Sequence, residues 1–285
     1  IKIIGDIPIF VAADSSDAWA NPEIFLFDEE RKPVKVAGVP PDYFSATGQL
    51  WGNPLYNWEK LKETNYSWWV ERVRANLSTC DIIRIDHFRG FEAYWAVPYG
   101  DDTAINGQWE PGPGIDLFNA IKSQLGELPI IAEDLGLMTQ GVIDLREATG
   151  FPGMKILGFA FDSGEENDYL PHTYTRNCVV YTGTHDNDTL VGWFQKAKEE
   201  DREFARNYLN SRADEEIHWD AIRGAWSSVA CMAISPVQDF LGLGSEARIN
   251  TPGVASGNWQ WRLKQGVLTD ELAEKIAKLT KIYSR

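Results

Sequence analysis

Two acidic side chains stand directly after short apolar runs, far apart in the sequence. Asp86 ends the segment Ile82–Asp86, and Glu133 follows Pro129–Ala132. Apolar runs of this length are typical of buried strands, and the carboxyl ends of parallel strands in α/β proteins gather the groups that do chemistry. A carboxylate can act there as a nucleophile and a carboxylic acid as a general acid. The two residues are therefore candidates for these roles.

Arg84 stands two residues before Asp86, so in a strand both side chains point to the same face. A guanidinium beside a carboxylate favours the ionised form that a nucleophile needs. A structural ion pair explains the same pattern equally well, because structural ion pairs also perturb acids.

The apolar residues before Glu133 predict a carboxyl group in dry surroundings, where its pKa rises and it suits a general acid. The pair Glu133-Asp134 also precedes the predicted helix Thr139–Thr149, and acidic residues are common near the positive end of a helix. Taken alone, Glu133 fits the helix-end interpretation better than the catalytic one.

A third polar cluster follows the predicted strand Cys178–Thr182 and contains His185 beside Asp186. Such a dipeptide in a turn at a strand end favours a functional role. A structural role explains it too, because Asn187 or Asp188 can form an Asx-turn that caps the next helix. The dipeptide alone is weak evidence.

Apolar and amphipathic segments alternate along the chain. The predicted strands are Ile3–Phe10, Ile82–Asp86, Pro129–Glu133, Lys155–Phe161, Cys178–Thr182 and Ala233–Phe240. The predicted helices are Ser67–Leu77, Asp116–Leu125, Thr139–Thr149, Thr189–Lys196, Asp201–Asn210, Asp214–Val229 and a C-terminal helix capped by Thr269. This alternation predicts parallel strands with helical crossovers, an α/β fold. One long connection, from Val11 to Trp58, is rich in aromatic residues.

The spread of polar groups over several strand ends favours a (β/α)8 barrel over a doubly wound sheet, because the chain has no glycine-rich phosphate-binding turn. A closed barrel of this type needs eight strands, and six are predicted here. The chain also opens in an apolar run without a start methionine. The first strands of the barrel are therefore expected to lie outside this chain.

Composition excludes several functional classes. The 285 residues carry 27 Lys and Arg against 42 Asp and Glu, so a net charge of −15 opposes binding to nucleic acid or anionic membranes. No apolar stretch is long enough to cross a bilayer, and four scattered histidines lack metal-ligand spacing. Three widely separated cysteines predict a reducing compartment such as the cytoplasm. The 12 tryptophans suit stacking on sugar rings.

Five segments together match one known family. They are Gly5–Ile9 with Asp14–Trp19, Pro40–Pro54, Arg84–Gly90, Ile131–Gly136 and Tyr181–Thr189. The set resembles the amylomaltases, also called disproportionating enzymes or 4-α-glucanotransferases, of glycoside hydrolase family 77 in the α-amylase superfamily. The resemblance runs from residue 1 to about Trp261, nearly the whole chain.

The resemblance implies a (β/α)8 TIM barrel. Residues 1–285 would form its C-terminal portion, from about the third strand to the eighth, and a substrate-groove loop would be inserted at about residues 11–58. A preceding segment or a second chain would complete the barrel. The implied partners are maltooligosaccharides, starch or glycogen-type α-1,4-glucans, with no nucleic acid, membrane, cofactor or metal. The implied location is the cytoplasm, or the plastid stroma in a plant.

The resemblance also implies retaining transfer of α-1,4-glucan segments to the 4-hydroxyl of a glucose or glucan acceptor. Asp86 would be the nucleophile that forms a covalent glucosyl-enzyme, Glu133 the general acid/base, and Asp186 the third carboxylate that stabilises the transition state. The substrate-binding residues it implies are Asp6, Asp42, Gln49, Trp51, Arg84, His185 and Asn250. Among them, Arg84 would also hold the nucleophile in place.

Two alternatives stay open at this point. An α-amylase-like hydrolase of α-1,4-glucans shares the three carboxylates, although the segment Gly48–Pro54 favours the transferase. A non-catalytic glucan-binding fragment would use the tryptophans, but it leaves the carboxylates at the strand ends unexplained.

Overall fold

The computed structural model describes residues 1–42, 45–136, 138–162, 167–254 and 256–285. These residues form two compact units, Ile1–Gly153 and Met154–Arg285. Tyr43 and Phe44, which belong to the predicted groove segment Pro40–Pro54, lie outside the described residues.

The first unit contains two sheets and the helices that flank them. Its strands are β1 (Ile4–Pro8), β2 (Lys35–Val39), β3 (Gln49–Pro54), β4 (Ile82–Asp86), β5 (Ala93–Pro98), β6 (Gln108–Pro111) and β7 (Ile130–Ala132). Its helices are α1 (Ser16–Ala20), α2 (Trp58–Glu63), α3 (Ser67–Leu77), α4 (Ile115–Leu125) and α5 (Gln140–Thr149). The order β1-β4-β7 forms a parallel sheet, and the order β3-β2-β5-β6 forms an antiparallel sheet.

The central strand β4 positions the candidate groups of this unit. Across β1 and β4, Asp6 pairs with Arg84, and on the other side of β4 Ile85 pairs with Ala132, the residue before Glu133. Because the three strands are parallel, their carboxyl ends lie along the same edge of the sheet. That edge carries Asp86 and Glu133.

The core of the first unit holds β4 against its helices. Ile83 and Ile85 alternate with Arg84 along the strand and therefore point to the opposite face. They are buried in one apolar cluster with Trp69 of α3 and Leu117 of α4. The apolar face of β4 fixes the strand, so the polar face is free to present charged groups.

The second unit contains one sheet. Its strands are β8 (Gly153–Ile156), which starts at the unit boundary, β9 (Cys178–Tyr181) and β10 (Met232–Ile234). Its helices are α6 (Leu190–Lys196), α7 (Glu199–Leu209), α8 (Ile217–Trp226), α9 (Val237–Phe240) and α10 (Asp270–Tyr283). The sheet order is β10-β9-β8, and β9 pairs with β10 in parallel. Thr269 caps α10, as predicted, by accepting a hydrogen bond from the Leu272 amide at 3.2 Å.

β4 and α3 have the predicted bounds, the strands predicted at Ile3–Phe10, Pro129–Glu133 and Cys178–Thr182 end one or two residues early, and two other predicted strands end much earlier. The strand predicted at Lys155–Phe161 stops at Ile156, and residues 157–159 form a 3₁₀ turn. The strand predicted at Ala233–Phe240 stops at Ile234, and α9 follows Pro236. Proline cannot donate to a strand ladder and its fixed φ suits a helix start, so the apolar run beyond it becomes helical.

The connection predicted from Val11 to Trp58 is not one loop, because it contains α1, β2 and β3. β2 pairs with β3 and also with the distant β5, and this long-range pairing leaves no local signal in the sequence. Gly38 of β2 is required by close packing, since a Cβ atom there would lie 2.6 Å from the Gln49 carbonyl oxygen.

Within the described part of the chain, no helix combines the length and the apolar character needed to cross a membrane.

Replacing a buried residue of β4 tests how strongly this strand is fixed. Ile83 is fully buried, so Ile83→Ala should lower the free energy of unfolding by about 2–5 kcal/mol through lost burial and a cavity. Urea unfolding followed by circular dichroism measures the change. Ile105→Ala is the control, because that side chain is 52% exposed. Equal midpoints for the two variants would contradict the core assignment.

Candidate active site

Arg84 joins two carboxylates on the polar face of the parallel sheet. Its Nη1 donates to Asp6 Oδ1 and Oδ2 at 2.8 and 2.9 Å, and its Nη2 lies 2.8 Å from Asp86 Oδ1. The Arg84 side chain is 10% exposed, whereas those of Asp6 and Asp86 are 47% and 40% exposed. The cation is therefore enclosed, while both carboxylates keep access to solvent and to a ligand.

The charge of Arg84 is stabilised by its surroundings. Burial opposes the positive charge, but the attraction of Asp6, Asp86 and Glu133 outweighs it and raises the pKa of Arg84 above its ordinary value. The guanidinium therefore stays charged at any physiological pH and can stabilise the negative charge of Asp86.

Glu133 follows β7 and accepts two backbone hydrogen bonds. The His87 amide donates to Oε2 at 2.6 Å and the Leu135 amide donates to Oε1 at 3.2 Å. Burial raises the pKa of Glu133 most, and the negative charge of Asp86 raises it further. Arg84 and the two amides lower it only in part, so the pKa of Glu133 rises to about 8. At neutral pH this carboxyl group keeps its proton, as a general acid must.

The neighbouring acid, Asp134, has a structural role. Its Oδ2 lies 2.7 Å from Arg146 Nη1 of α5, and its side chain is buried. Glu133 accepts from the His87 and Leu135 amides, neither of which belongs to α5, and α5 has no acidic residue in its first turn, so the helix-end interpretation of Glu133 is wrong. Adjacent carboxyl groups thus differ in function, since one forms a buried ion pair and the other keeps a proton.

His87 supports Glu133 through its backbone amide, a contact that the sequence analysis missed. Its φ of 53° is left-handed, a conformation that residue type does not reveal. Burial and, second, Arg89 lower the pKa of His87 to about 3, so the ring is neutral at neutral pH. The ring meets Trp51 edge-on, with centroids 4.8 Å apart. The position of His87 directly after Asp86 was the one signal in the sequence that His87 belongs to the site.

The predicted groove residues of the first unit fall into two places. Gln49 and Trp51 lie on β3, where Trp51 Nε1 donates to Gln49 Oε1 at 3.2 Å, and Trp51 reaches His87. Asp42 lies between β2 and β3, where its Oδ1 accepts from the Ser45 amide at 2.8 Å and closes a turn. The structure thus brings Trp51 to the residue that supports Glu133, and the contacts described for Asp42 are with Ser45.

In the second unit, Asp186 lies in the turn after β9 and is held from three sides. Asn250 Nδ2 donates to Oδ1 at 2.5 Å, His185 Nε2 lies 3.3 Å from Oδ2, and Arg248 Nη2 donates to the backbone oxygen at 2.6 Å. The Asn250 amide also donates to the His185 oxygen at 3.1 Å. The structure brings the three predicted residues of this unit together and adds Arg248, which is not among the predicted site residues.

The capping interpretation of the residues after Asp186 is wrong. Thr189 is the N-cap of α6, and its Oγ1 accepts from the Gly192 amide at 3.0 Å. Asn187 instead closes the turn, since its Oδ1 accepts from the Thr184 amide at 2.8 Å and from its hydroxyl at 2.9 Å. The turn that presents Asp186 is therefore built by side chains on both sides of it.

Among the described residues, no group of three or more His, Cys, Asp or Glu side chains is arranged to hold a metal ion. Reaction without a metal or cofactor stays a prediction.

The chain matches a family model described as 4-alpha-glucanotransferase over residues 1–269. It is 56% identical over 287 residues to the 4-alpha-glucanotransferase of Clostridium butyricum and 57% identical over 288 residues to that of Synechocystis sp.. The solved amylomaltase from Streptococcus agalactiae in complex with acarbose matches with a TM-score of 0.97 and 43% identity. These matches cover all of this chain but 59%, 57% and 58% of the three relatives, so the chain spans a little over half their length.

The shifted pKa of Glu133 gives a direct test of the electrostatics. Asp86→Asn removes a neighbouring negative charge, so the pKa of Glu133 should fall, while burial keeps it above the ordinary value for a glutamic acid. Infrared difference titration of the protonated carboxyl band measures the shift. Asp144→Asn makes the same charge change at an exposed position of α5 and should leave the titration unchanged. An identical Glu133 titration in both variants would show that Asp86 does not act on it.

Proposed function

The chain belongs to the 4-alpha-glucanotransferases of glycoside hydrolase family 77, and on this premise we propose that it transfers α-1,4-glucan segments from a maltooligosaccharide, starch or glycogen-type donor to the 4-hydroxyl of a glucose or glucan acceptor. The observation that carries the proposal is the pairing of a protonated carboxyl group, Glu133, with an ion-paired carboxylate, Asp86, beside it. Retaining glycosyl transfer needs one group of each kind.

In the first step, Asp86 attacks the anomeric carbon while Glu133 gives its proton to the glycosidic oxygen. The bond from that carbon to the leaving oxygen breaks, the leaving glucan departs with a 4-hydroxyl, and an ester joins the donor to Asp86. The pKa of about 8 keeps Glu133 protonated for this step at neutral pH.

In the second step, the acceptor hydroxyl gives its proton to Glu133 and its oxygen attacks the same carbon, which releases Asp86 as a carboxylate. The ester has no negative charge, so one cause of the raised pKa of Glu133 is absent in the intermediate. The pKa of Glu133 therefore falls once Asp86 has become an ester. Glu133 stays ionised after it has donated its proton, and the carboxylate can serve as the base that the second step needs.

The other predicted residues receive the following proposed roles. Arg84 holds the nucleophile, and Asp186 stabilises the positive charge that develops at the anomeric carbon. Asp6 and His185 bind hydroxyl groups of the transferred sugar. Asp42, Gln49, Trp51 and Asn250 line the donor and acceptor groove. The support for Asp186 is its position at a strand end and the contacts that orient its carboxylate.

For the fold, we propose that β1, β4, β7, β8, β9 and β10 are the third to eighth strands of a (β/α)8 barrel, with the segment at about residues 11–58 as a groove insertion. A further segment or a second chain would supply the first two strands, in keeping with relatives that are longer than this chain. The acarbose bound to the related Streptococcus agalactiae amylomaltase supports an α-glucan ligand here. The proposed location is the cytoplasm, or the plastid stroma in a plant, where the Arabidopsis thaliana relative is named chloroplastic/amyloplastic.

Replacing the nucleophile tests the proposed chemistry. Asp86→Asn should lower disproportionation of maltotriose by several orders of magnitude, because an amide cannot form the ester intermediate. Glucose release by the full-length protein measures the rate, and Asp144→Asn is the charge-matched control. Retention of more than about a tenth of wild-type turnover by Asp86→Asn would exclude it as the nucleophile.

Product analysis separates transfer from hydrolysis. With maltotriose as the substrate, we expect glucose and longer oligomers to form while total reducing ends stay constant, because each broken bond is replaced by a new one. Chromatography and a reducing-end assay on the same samples measure both quantities. A rise in reducing ends that matches bond cleavage one for one would favour the α-amylase-like hydrolase.

A further inference from the structure

An exposed tryptophan lies beside the candidate residues of the second unit. The ring of Trp259 is 5.1 Å from the ring of His185, between centroids, and the residue is 56% exposed. His185 in turn contacts the Asp186 carboxylate at 3.3 Å. More than half of the surface of a large aromatic residue is thus open to solvent, one side chain away from a predicted catalytic carboxylate.

The loop that carries this ring is braced from within. The Trp259 amide donates to the Ile249 oxygen at 2.8 Å, and its φ of 61° is left-handed, which is uncommon for a bulky residue. Asn258 accepts from the Thr251 amide at 3.0 Å and donates to the Val254 oxygen at 2.8 Å. Such backbone conformations persist only where the surrounding structure enforces them, and they cluster at ligand clamps.

The base of the same loop is tied to Asp186. Arg248 Nη2 donates to the Asp186 backbone oxygen at 2.6 Å, and its Nε donates to the Asn250 oxygen at 2.8 Å. Asn250 also holds the Asp186 side chain. Since one guanidinium bridges the turn and the loop, the positions of Trp259 and Asp186 are coupled.

We propose that Trp259 binds substrate by stacking its exposed face on a glucose ring of the donor or acceptor chain next to Asp186. The inference rests on the proposed function and adds a sugar subsite to it. The C–H faces of a glucose ring match an apolar indole surface, and the hydroxyl groups at the ring edge need polar partners, which His185 and Asp186 supply. A rigid ring also loses little conformational entropy on binding, so the braced loop favours affinity.

The test compares two exposed aromatic residues, Trp259 and Tyr99, in the full-length protein. Trp259→Ala should raise both the KM for maltotriose and the Kd for acarbose about tenfold, which corresponds to about 1.4 kcal/mol, with a smaller change in kcat. Trp259→Phe keeps an aromatic face and should stay within about threefold of wild type, because stacking needs a π-face rather than the indole N–H. Tyr99→Ala is the control, since Tyr99 is 55% exposed in the first unit, lies outside the proposed groove segment and has no proposed role.

The possible results separate this inference from the proposed function. If the wild type disproportionates maltotriose but Trp259→Ala binds acarbose as tightly as Tyr99→Ala does, the stacking role is excluded. A loss confined to kcat would also exclude it, because it would indicate an effect through His185 on Asp186. If Trp259→Ala lowers the Tm, Trp259→Leu replaces it in the comparison of acarbose binding, because leucine keeps a large apolar side chain without the aromatic face. A wild type that neither transfers glucan nor binds acarbose would instead overturn the proposed function.

Discussion

The enclosed positive charge of Arg84 is the constraint on which the first unit depends. A buried guanidinium without partners is strongly unfavourable, so carboxylates must meet it. Asp6 on β1 and Asp86 at the end of β4 do so: the parallel register of the two strands sets Asp6 opposite Arg84, and the alternation within β4 sets Asp86 on the same face as Arg84. The apolar face of β4, with Ile83 and Ile85 in the core, makes that register stable. The position of the proposed nucleophile therefore follows from how a strand is packed on its other face.

The double pairing of Arg84 also matters during the proposed reaction. When Asp86 becomes an ester it loses its negative charge, and an arginine with one partner would be left buried and unbalanced. Asp6 holds Nη1 through both of its oxygens, so the guanidinium keeps an ion pair in the intermediate. Glu133 meanwhile loses the repulsion from Asp86 that helps to raise its pKa. In the proposed intermediate, loss of the Asp86 charge would therefore leave Arg84 paired with Asp6 and would help to change Glu133 from an acid into a base.

Part of this arrangement could be predicted from the sequence because it is local. The bounds of β4 and α3 follow from apolar patterning, and the alternation of a strand places Arg84 and Asp86 on one face. The apolar run before Glu133 predicts the raised pKa that burial causes. The pairing of Asp6 with Arg84 spans 78 residues, so no local pattern contains it. The His87 amide that supports Glu133 depends on a left-handed backbone, which residue type does not specify.

Asp186 shows the same division between local and distant information. The sequence places it in a turn after a strand, but its orientation comes from Asn250, 64 residues further on, and from the Arg248 guanidinium. A strand end alone leaves a carboxylate free to rotate, whereas a donor from a second segment fixes one oxygen and leaves the other to His185. Catalytic geometry must be held to a fraction of an ångström, and loops cannot provide this unless they are tied to a rigid element. In both units, therefore, acidic groups lie at or after strand ends, and donors from distant segments orient Glu133 in the first unit and Asp186 in the second.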